Sequence, residues 1–431
     1  MAADTTAQGA LAASRAAPPH GAAVAAYGLA MLFLANTVNY ADRALLGIVV
    51  EPIRHELLLN DTQISLVSGF AFSVFYLIAG IAIARWVDRG DRRLILALGV
   101  GLWCLATAAT ALATGFVSLA LCRTLIGIGE ATVFPVAMSL LADLYPAQNL
   151  ARSVSIFQSS SGVGVVLGSV LAGILAAALG WRTMFCVFGL AGLALVLLIA
   201  VTMRSIPHPA SGPQPLQERG LLAELGQIAA VPGLGLLALG YGTSNMMLAC
   251  LPTWAPAFLL RSHGVQLAQV GALVGPPAVI GGILGTVLSG MLATRLIRRS
   301  GNPWAGLIVP IVALPLAMPA FALFLFAPSL TLLVLGIAVM NFMLSSSLGP
   351  CVALAVSLVP PARRGLTSTL MLIVHTILAF ALAPLIVGMA SDALTPRYGD
   401  EALRHALALM LVAPPAASLL IWCACRRLQR G

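Results

Sequence analysis

The sequence predicts an all-α membrane protein: twelve transmembrane helices arranged as two six-helix halves. Three observations point there. Apolar residues make up 60% of the 431 positions and charged residues only 9%, against roughly a quarter charged in a soluble domain, so water is not the solvent for most of this surface. The length is consumed by long apolar segments, each sufficient for a ~30 Å hydrocarbon core at about 1.5 Å per residue. A basic turn after the second segment recurs after the eighth.

In chain order the segments fall near 22–50, 64–87, 94–114, 117–142, 153–179 and 183–203, then 233–259, 268–294, 304–326, 329–357, 366–390 and 403–425. None alternates apolar and polar residues throughout, which excludes a β-barrel. Met1 to Pro19 is polar and Ala-rich, with Arg15 before the first span, and has no cleavable signal pattern. Residues 1–21 are expected to form an N-terminal tail, 22–203 the first half and 229–431 the second. Between them, 204–228 contains Pro207, Pro209, Pro213 and Pro215 and reads as a linker.

The net charge of +9 does not imply nucleic acid. All 23 basic residues are arginine, which with the Ala, Gly and Pro excess fits a compositional bias. Their placement is informative. One set of ends and loops holds Arg15, Arg85, Arg89, Arg92, Arg93, Arg152, Arg204, Arg219, Arg295, Arg298, Arg299, Arg363, Arg364, Arg426, Arg427 and Arg430; the opposite set holds Arg54, Arg182, Arg261, Arg397 and Arg404. Sixteen against five predicts both termini in the cytoplasm of a multi-pass bacterial inner membrane protein. The seven cysteines lie in or beside spans, in neither a disulfide framework nor a zinc pattern, and are expected simply to pack.

Residues 84–93 read ARWVDRGDRR and residues 290–299 read GMLATRLIRR, 206 positions later; Ala84, Val87, Arg89, Arg92 and Arg93 align with Gly290, Ala293, Arg295, Arg298 and Arg299. A matched tight turn in each half describes a parallel repeat of the transporter kind.

These turns resemble the loop motif of the major facilitator superfamily, roughly Gly-x-Leu-Ala-Asp-Arg-x-Gly-Arg-Arg, with departures at Ala84, Asp91 and Thr294. Asn39-Tyr40-Ala41-Asp42-Arg43, Ser65-x-x-Ser68-Gly69-x-Ala71-Phe72, Arg123-x-x-x-Gly127-x-Gly129-Glu130-Ala131, Gly180-Trp181-Arg182 and Pro384-x-x-x-Gly388-x-x-Ser391-Asp392 resemble its spinster branch. The superfamily resemblance spans the chain; the spinster resemblance is strong in the first half and thin in the second. It implies movement of lysophospholipids or sphingoid phosphates. It also implies that Asp88, at the end of the second span, meets the start of the eleventh helix near Leu366. There the helix dipole favours negative charge, and a contact made in only one state would bias gating. Arg89, Arg92, Arg93 and Arg295 belong to the same turns.

The residues support a matching chemistry on their own. An ionisable group at the bilayer centre costs at least ~2.5–3.5 kcal/mol on insertion scales, so it usually faces a polar cavity and has a function. Glu130 has thirteen span residues before it and twelve after, in the segment 117–142. Arg123, seven residues earlier, shares its face about 10 Å away along the axis, with Gly127 between. Asp42 sits beside Arg43; Asn36, Tyr40, Arg43 and Gly47 share one face with Asn39 and Asp42 at its flanks, which suits either a cavity lining or an interfacial position. Asp42 and Glu130 are the expected proton-coupling acids. Arg43 and Arg123, with Tyr40 and Asn39, are the expected contacts for an anionic group, since arginine stays charged and forks onto carboxylate or phosphate.

The second half has no acid within the spans as read from the sequence. Its polar candidates for substrate contact are Tyr241, Asn245, Asn341 and His375, the last either a ligand contact or bonded to a neighbouring carbonyl. Ser345–Ser347 and the glycines 162, 164, 168 and 173 read as small-residue packing. No nucleophile–base or metal constellation is present, so an enzyme is not expected, and no cofactor or metal. A transport-dead receptor or scaffold would need neither buried acids nor repeated turns. The expectation is a proton-coupled secondary transporter, acting as a monomer among membrane lipids. It would move an amphipathic anion, or alternatively export or import drugs or small organic anions.

Overall fold

The computed structural model describes residues 21–203, 226–228, 230–360 and 363–429. The expected tail, except residue 21, and most of the expected linker lie outside them, as do Arg15, Arg204, Arg219 and Arg430. The described residues are almost wholly helical, with no strand among them. The spans are α1 (Ala22–Ile48), α2 (Asp61–Val87), α3 (Arg92–Thr110), α4 (Phe116–Leu144), α5 (Ala147–Leu179) and α6 (Trp181–Thr202) in the first half. The second half has α7 (Leu234–His263), α8 (Leu267–Ser300), α9 (Pro303–Phe326) and α10 (Leu330–Ser357). A final 65-residue helical run is two crossings, α11 (364–398) and α12 (402–428), reversed at Gly399, whose φ of 56° a Cβ would disfavour. An even number of crossings puts the start of α1 and the end of α12 on one side, called here the terminal side; the other is the far side.

The surface is what lipid requires. Leu197, Val201, Met291, Leu190 and Ile78 are all at least 60% exposed, which would be costly in water and costs nothing against acyl chains. Inside each half, α1 packs on α5 and α3 on α6, and likewise α7 on α12 and α8 on α10. The expected small-residue packing is visible where α5 meets α1: a Cβ at Gly164 or Gly168 would lie 2.4 Å from the carbonyl oxygens of Thr37 and Ala41. All seven cysteines are unpaired.

Several helices are interrupted, which the apolar pattern of the chain does not disclose. The first span ends at Ile48, and a short helix, Val50–Glu56, follows on the far side. Glu56 holds that helix in place, accepting from Trp181 Nε1 at 2.6 Å and Arg182 Nε at 2.8 Å. The hydrogen bond from Arg182 keeps this carboxyl below its usual range. α4 breaks at Ala131–Thr132, immediately after Glu130, α7 at Asn245, and α10 at the tight turn Ser345–Ser347. α2 and α11 each contain one widened turn, Leu66–Ala71 and Thr376–Leu382. Pro384 explains the second, since it removes an N–H and crowds the carbonyl four residues back. Such turns concentrate at functional sites.

The halves meet along α5 and α8, α1 and α7, and α2 and α11. Hydrogen bonds join them on the far side, where Asp61, Ser65 and Ser391 are at most 3% exposed. Arg43, in the middle of the membrane by sequence, keeps a quarter of its side-chain surface exposed.

Candidate functional site

The four charges of the first half come together, but with their partners exchanged relative to their order in the sequence. Arg43 on α1 binds Glu130 on α4, Nε to Oε2, at 2.7 Å. Asp42 points the other way from its neighbour, as adjacent helical residues must. It accepts from Thr107 on α3 at 2.7 Å and interacts with Arg123 and Glu130. Asp42, Arg123 and Glu130 are at most 4% exposed, so all three are buried inside the first half.

The cluster is neutral in total and incompletely bonded. Asp42 Oδ2, Glu130 Oε1, and Arg123 Nε and Nη1 are buried with no hydrogen-bond partner among the described residues. Each such group costs about 1–3 kcal/mol, more when charged, unless something supplies the missing bond. A proton on either acid would give one orphan oxygen a donor for the other. An anion would satisfy the free Arg123 donors.

Aromatic rings surround the cations. Arg43 lies 5.0 Å from the ring centre of Tyr40, 5.1 Å from Phe72 and 4.7 Å from Tyr76; Arg123 lies 5.3 Å from Phe72. These contacts contribute about 0.5–2 kcal/mol each, according to how far water is excluded. They also present an apolar border to whatever the guanidinium binds. The roles of Thr107, Phe72 and Tyr76 are not legible in the sequence. The helical spacing of Phe72 and Tyr76 reads as ordinary core packing, and only the fold sets them beside α1. Asn39 is buried with its amide nitrogen unpartnered, and Asn36 donates to Ser160 on α5 at 2.7 Å.

The second half supplies no charge here. His375 lies tilted against Tyr241 and edge-on to Phe380, both ring centres 5.3 Å away. Asn245 bonds back to the Tyr241 carbonyl and to Ser244, which bonds Ser347 across to α10; Asn341 bonds back to the Ile337 carbonyl. Tyr241 and His375 are therefore brought together, Asn245 belongs to a serine network, and Asn341 stands apart from both.

The turns behave differently from one another. Arg92 is buried and binds Asp143 at 2.5 Å and Ser139, fastening α3 to α4, while Arg93 donates to the Ala200 and Met203 carbonyls of α6. These bonds lie within the first half. Asp88, Arg89 and Arg295 are exposed. The Asp88 carboxylate has no hydrogen bond among the described residues and is not bonded to α11 in this state.

Comparison with known proteins agrees with this architecture. The family model of the Major Facilitator Superfamily matches residues 32–384. An MFS-type efflux pump of Mycolicibacterium smegmatis is 32% identical over 95% of each chain. Human protein spinster homolog 1 is 28% identical over 85% of this chain and 73% of its own. The crystal structure of a bacterial homologue of the human lysosomal transporter spinster, inward-facing and unoccupied, superposes with a TM-score of 0.85 at 26% identity, covering 94% of this chain and 98% of that one. The chain belongs to the Major Facilitator Superfamily and is a spinster-like membrane transporter within it.

Proposed function

We propose that this protein is a proton-coupled secondary transporter working by alternating access, and that its cargo is an amphipathic anion such as a lysophospholipid or sphingoid phosphate. The carrying observation is the unsaturated cluster of Arg43, Arg123, Asp42 and Glu130. Two acids and two arginines that left no bond unmade would be a structural plug. Here each acid has an orphan oxygen and Arg123 has two orphan donors. An anionic head group that takes Arg43 or Arg123 frees an acid, and the freed acid takes a proton, because a buried carboxylate without a partner is costly. The cargo's negative charge and the proton thus compete for the same groups.

The cargo class follows from the walls. One wall offers guanidinium groups bordered by Tyr40, Phe72 and Tyr76; the other offers Tyr241, His375 and Phe380. A sugar would need amide and hydroxyl groups on both sides, whereas the amide nitrogens of Asn245 and Asn341 are engaged with their own helices and only Asn245 Oδ1 is left over. The resemblance to spinster homologues supports the lipid reading. The 32% identity to an efflux pump favours a second one, export of drugs or small organic anions. The arginine asymmetry supports placing the terminal side in the cytoplasm of a bacterial inner membrane.

Reconstituted protein, assayed with lysophospholipid, sphingoid phosphate, a small organic anion and a neutral sugar, with and without a pH gradient, tests this. Expected is saturable lysolipid binding in the micromolar range, roughly −8 kcal/mol, and uptake that follows the gradient. Saturable sugar binding without competition by lysolipid would refute the cargo class.

A further inference from the structure

The motif Pro384-x-x-x-Gly388-x-x-Ser391-Asp392 remains without a role in the mechanism above. All four of its residues meet the first turns of α2. Asp392 accepts from the backbone N–H of Asp61 at 2.9 Å and of Thr62 at 2.8 Å, and from the Thr62 hydroxyl at 2.5 Å. Ser391 donates to Asp61 Oδ2 at 2.6 Å. Ser65 donates to the Pro384 carbonyl at 2.7 Å. Gly388 lets the backbones touch: a Cβ there would lie 2.5 Å from the Asp61 carbonyl oxygen. Arg261 at the end of α7 adds a fork onto Asp61, 2.7 Å to each oxygen, and reaches Glu51 at 2.6 Å.

The bonding of α2's amino end shows why this contact matters. A helix leaves its first N–H groups without internal partners. Asn60 and Gln63 form a capping box that satisfies the Gln63 N–H from within the first half. Among the described residues, the N–H groups of Asp61 and Thr62 are satisfied only from across the boundary, by Asp392. Opening the far side must strip both, and it must leave Asp61 without Arg261 and Ser391.

The terminal side shows the converse. α2 and α11 are antiparallel, so α2 ends where α11 begins. The Asp88 carboxylate, just past the end of α2, has no hydrogen bond among the described residues, and no side chain caps α11 at Arg363. We propose that Asp392 is the far-side counterpart of the cap that the family resemblance implies for Asp88: Asp392 closes the far side on α2's amino end, in opposition to Asp88 on α11's, and only one cap forms at a time. Asp392 is then a positioning residue for transport. It touches no cargo and sets which side is open. The proposal rests on the alternating-access reading.

The test uses the full chain in lipid nanodiscs, in a cysteine-free background. One spin-label pair spans the far side at Leu112 and Leu332, and one spans the terminal side at Val201 and Ser300. Asp392→Ala is expected to lengthen the first distance and shorten the second, moving the ratio of the two states by about tenfold. Thr62→Val, which removes one of the three bonds, shifts it the same way by less and serves should Asp392→Ala not fold. The double variant Asp88→Ala/Asp392→Ala returns towards the wild-type ratio. Distances at wild-type values in both single variants would overturn the role of Asp392. A double variant identical to Asp392→Ala alone would overturn the reciprocity. Wild type fixed in one state, with or without cargo and across pH, would take alternating access down as well, so the two failures are distinct.

Discussion

The two halves share a topology and differ in chemistry. In the first, α1 and α4 bring two arginines and two acids into one buried cluster. In the second, the corresponding helices α7 and α10 bring together Ser244, Asn245 and Ser347, all neutral. Both α4 and α10 are broken near mid-membrane, one just after Glu130 and the other at Ser345–Ser347. A broken helix frees backbone groups that cost energy in lipid unless something bonds them. The second half meets part of that demand with serine hydroxyls and leaves only neutral atoms, Asn245 Oδ1 and Ser346 Oγ, buried without a partner among the described residues at its breaks. The first leaves charged atoms unsatisfied. On the reading proposed above, titration and anion binding belong to the first half, and the second serves as an aromatic wall.

The strongest way to break this comparison is at Glu130. Glu130→Gln keeps the size and a hydrogen-bonding group but removes the exchangeable proton. Gradient-driven transport is expected to fall by about a hundredfold or more, on the scale of losing an essential proton-transfer group, with folding and insertion preserved. Asp42→Asn should behave likewise. Uptake that keeps the wild-type pH dependence in both variants would make the acids structural.

A smaller effect is expected at Arg43. Arg43→Lys keeps the charge that balances Glu130 but loses the planar fork and its stacking on Tyr40, Phe72 and Tyr76. Lysolipid affinity is expected to fall about tenfold, about 1.4 kcal/mol, in equilibrium binding. Unchanged affinity would mean that the head group is held elsewhere, and would favour Arg123.

Much of this contrast is legible in the sequence. Glu130 and Asp42 stand out because a charge inside an apolar segment is expensive, and the arginine count predicts the topology. The pairing is not legible: Arg43 lies next to Asp42 in sequence, yet bonds Glu130, because adjacent helical residues diverge and only packing of α1 on α4 decides which acid is near. The far-side contacts are hidden for the same reason. Asp61, Arg261 and Asp392 sit at three separate helix ends, and nothing in their spacing links them. Gly388 and Ser391 are visible as a pattern, but a pattern does not say what the face touches. The helix break at Asn245 has no proline within the following turn, so composition gives no warning of it, whereas Pro350 crowds the Ser346 carbonyl four residues back and marks the break at Ser345–Ser347.

The mildest and most discriminating variant lies in the second half. His375 is the one group on that wall able to titrate near neutral pH in water, so it is where the division of labour is most exposed. Its ring is held by two aromatic neighbours and makes no hydrogen bond to a described residue. A carbonyl partner, one of the two roles its sequence position allows, is therefore absent among the described residues. His375→Phe retains the aromatic contacts with Tyr241 and Phe380 and removes both ring nitrogens. If the second half acts only as an aromatic wall, transport should change by no more than about two- to threefold, less than ~0.7 kcal/mol. The pH profile of uptake should superpose on that of the wild type. A lost or displaced pH dependence would show that proton handling crosses the interface, and the separation of roles between the halves would fail at this residue.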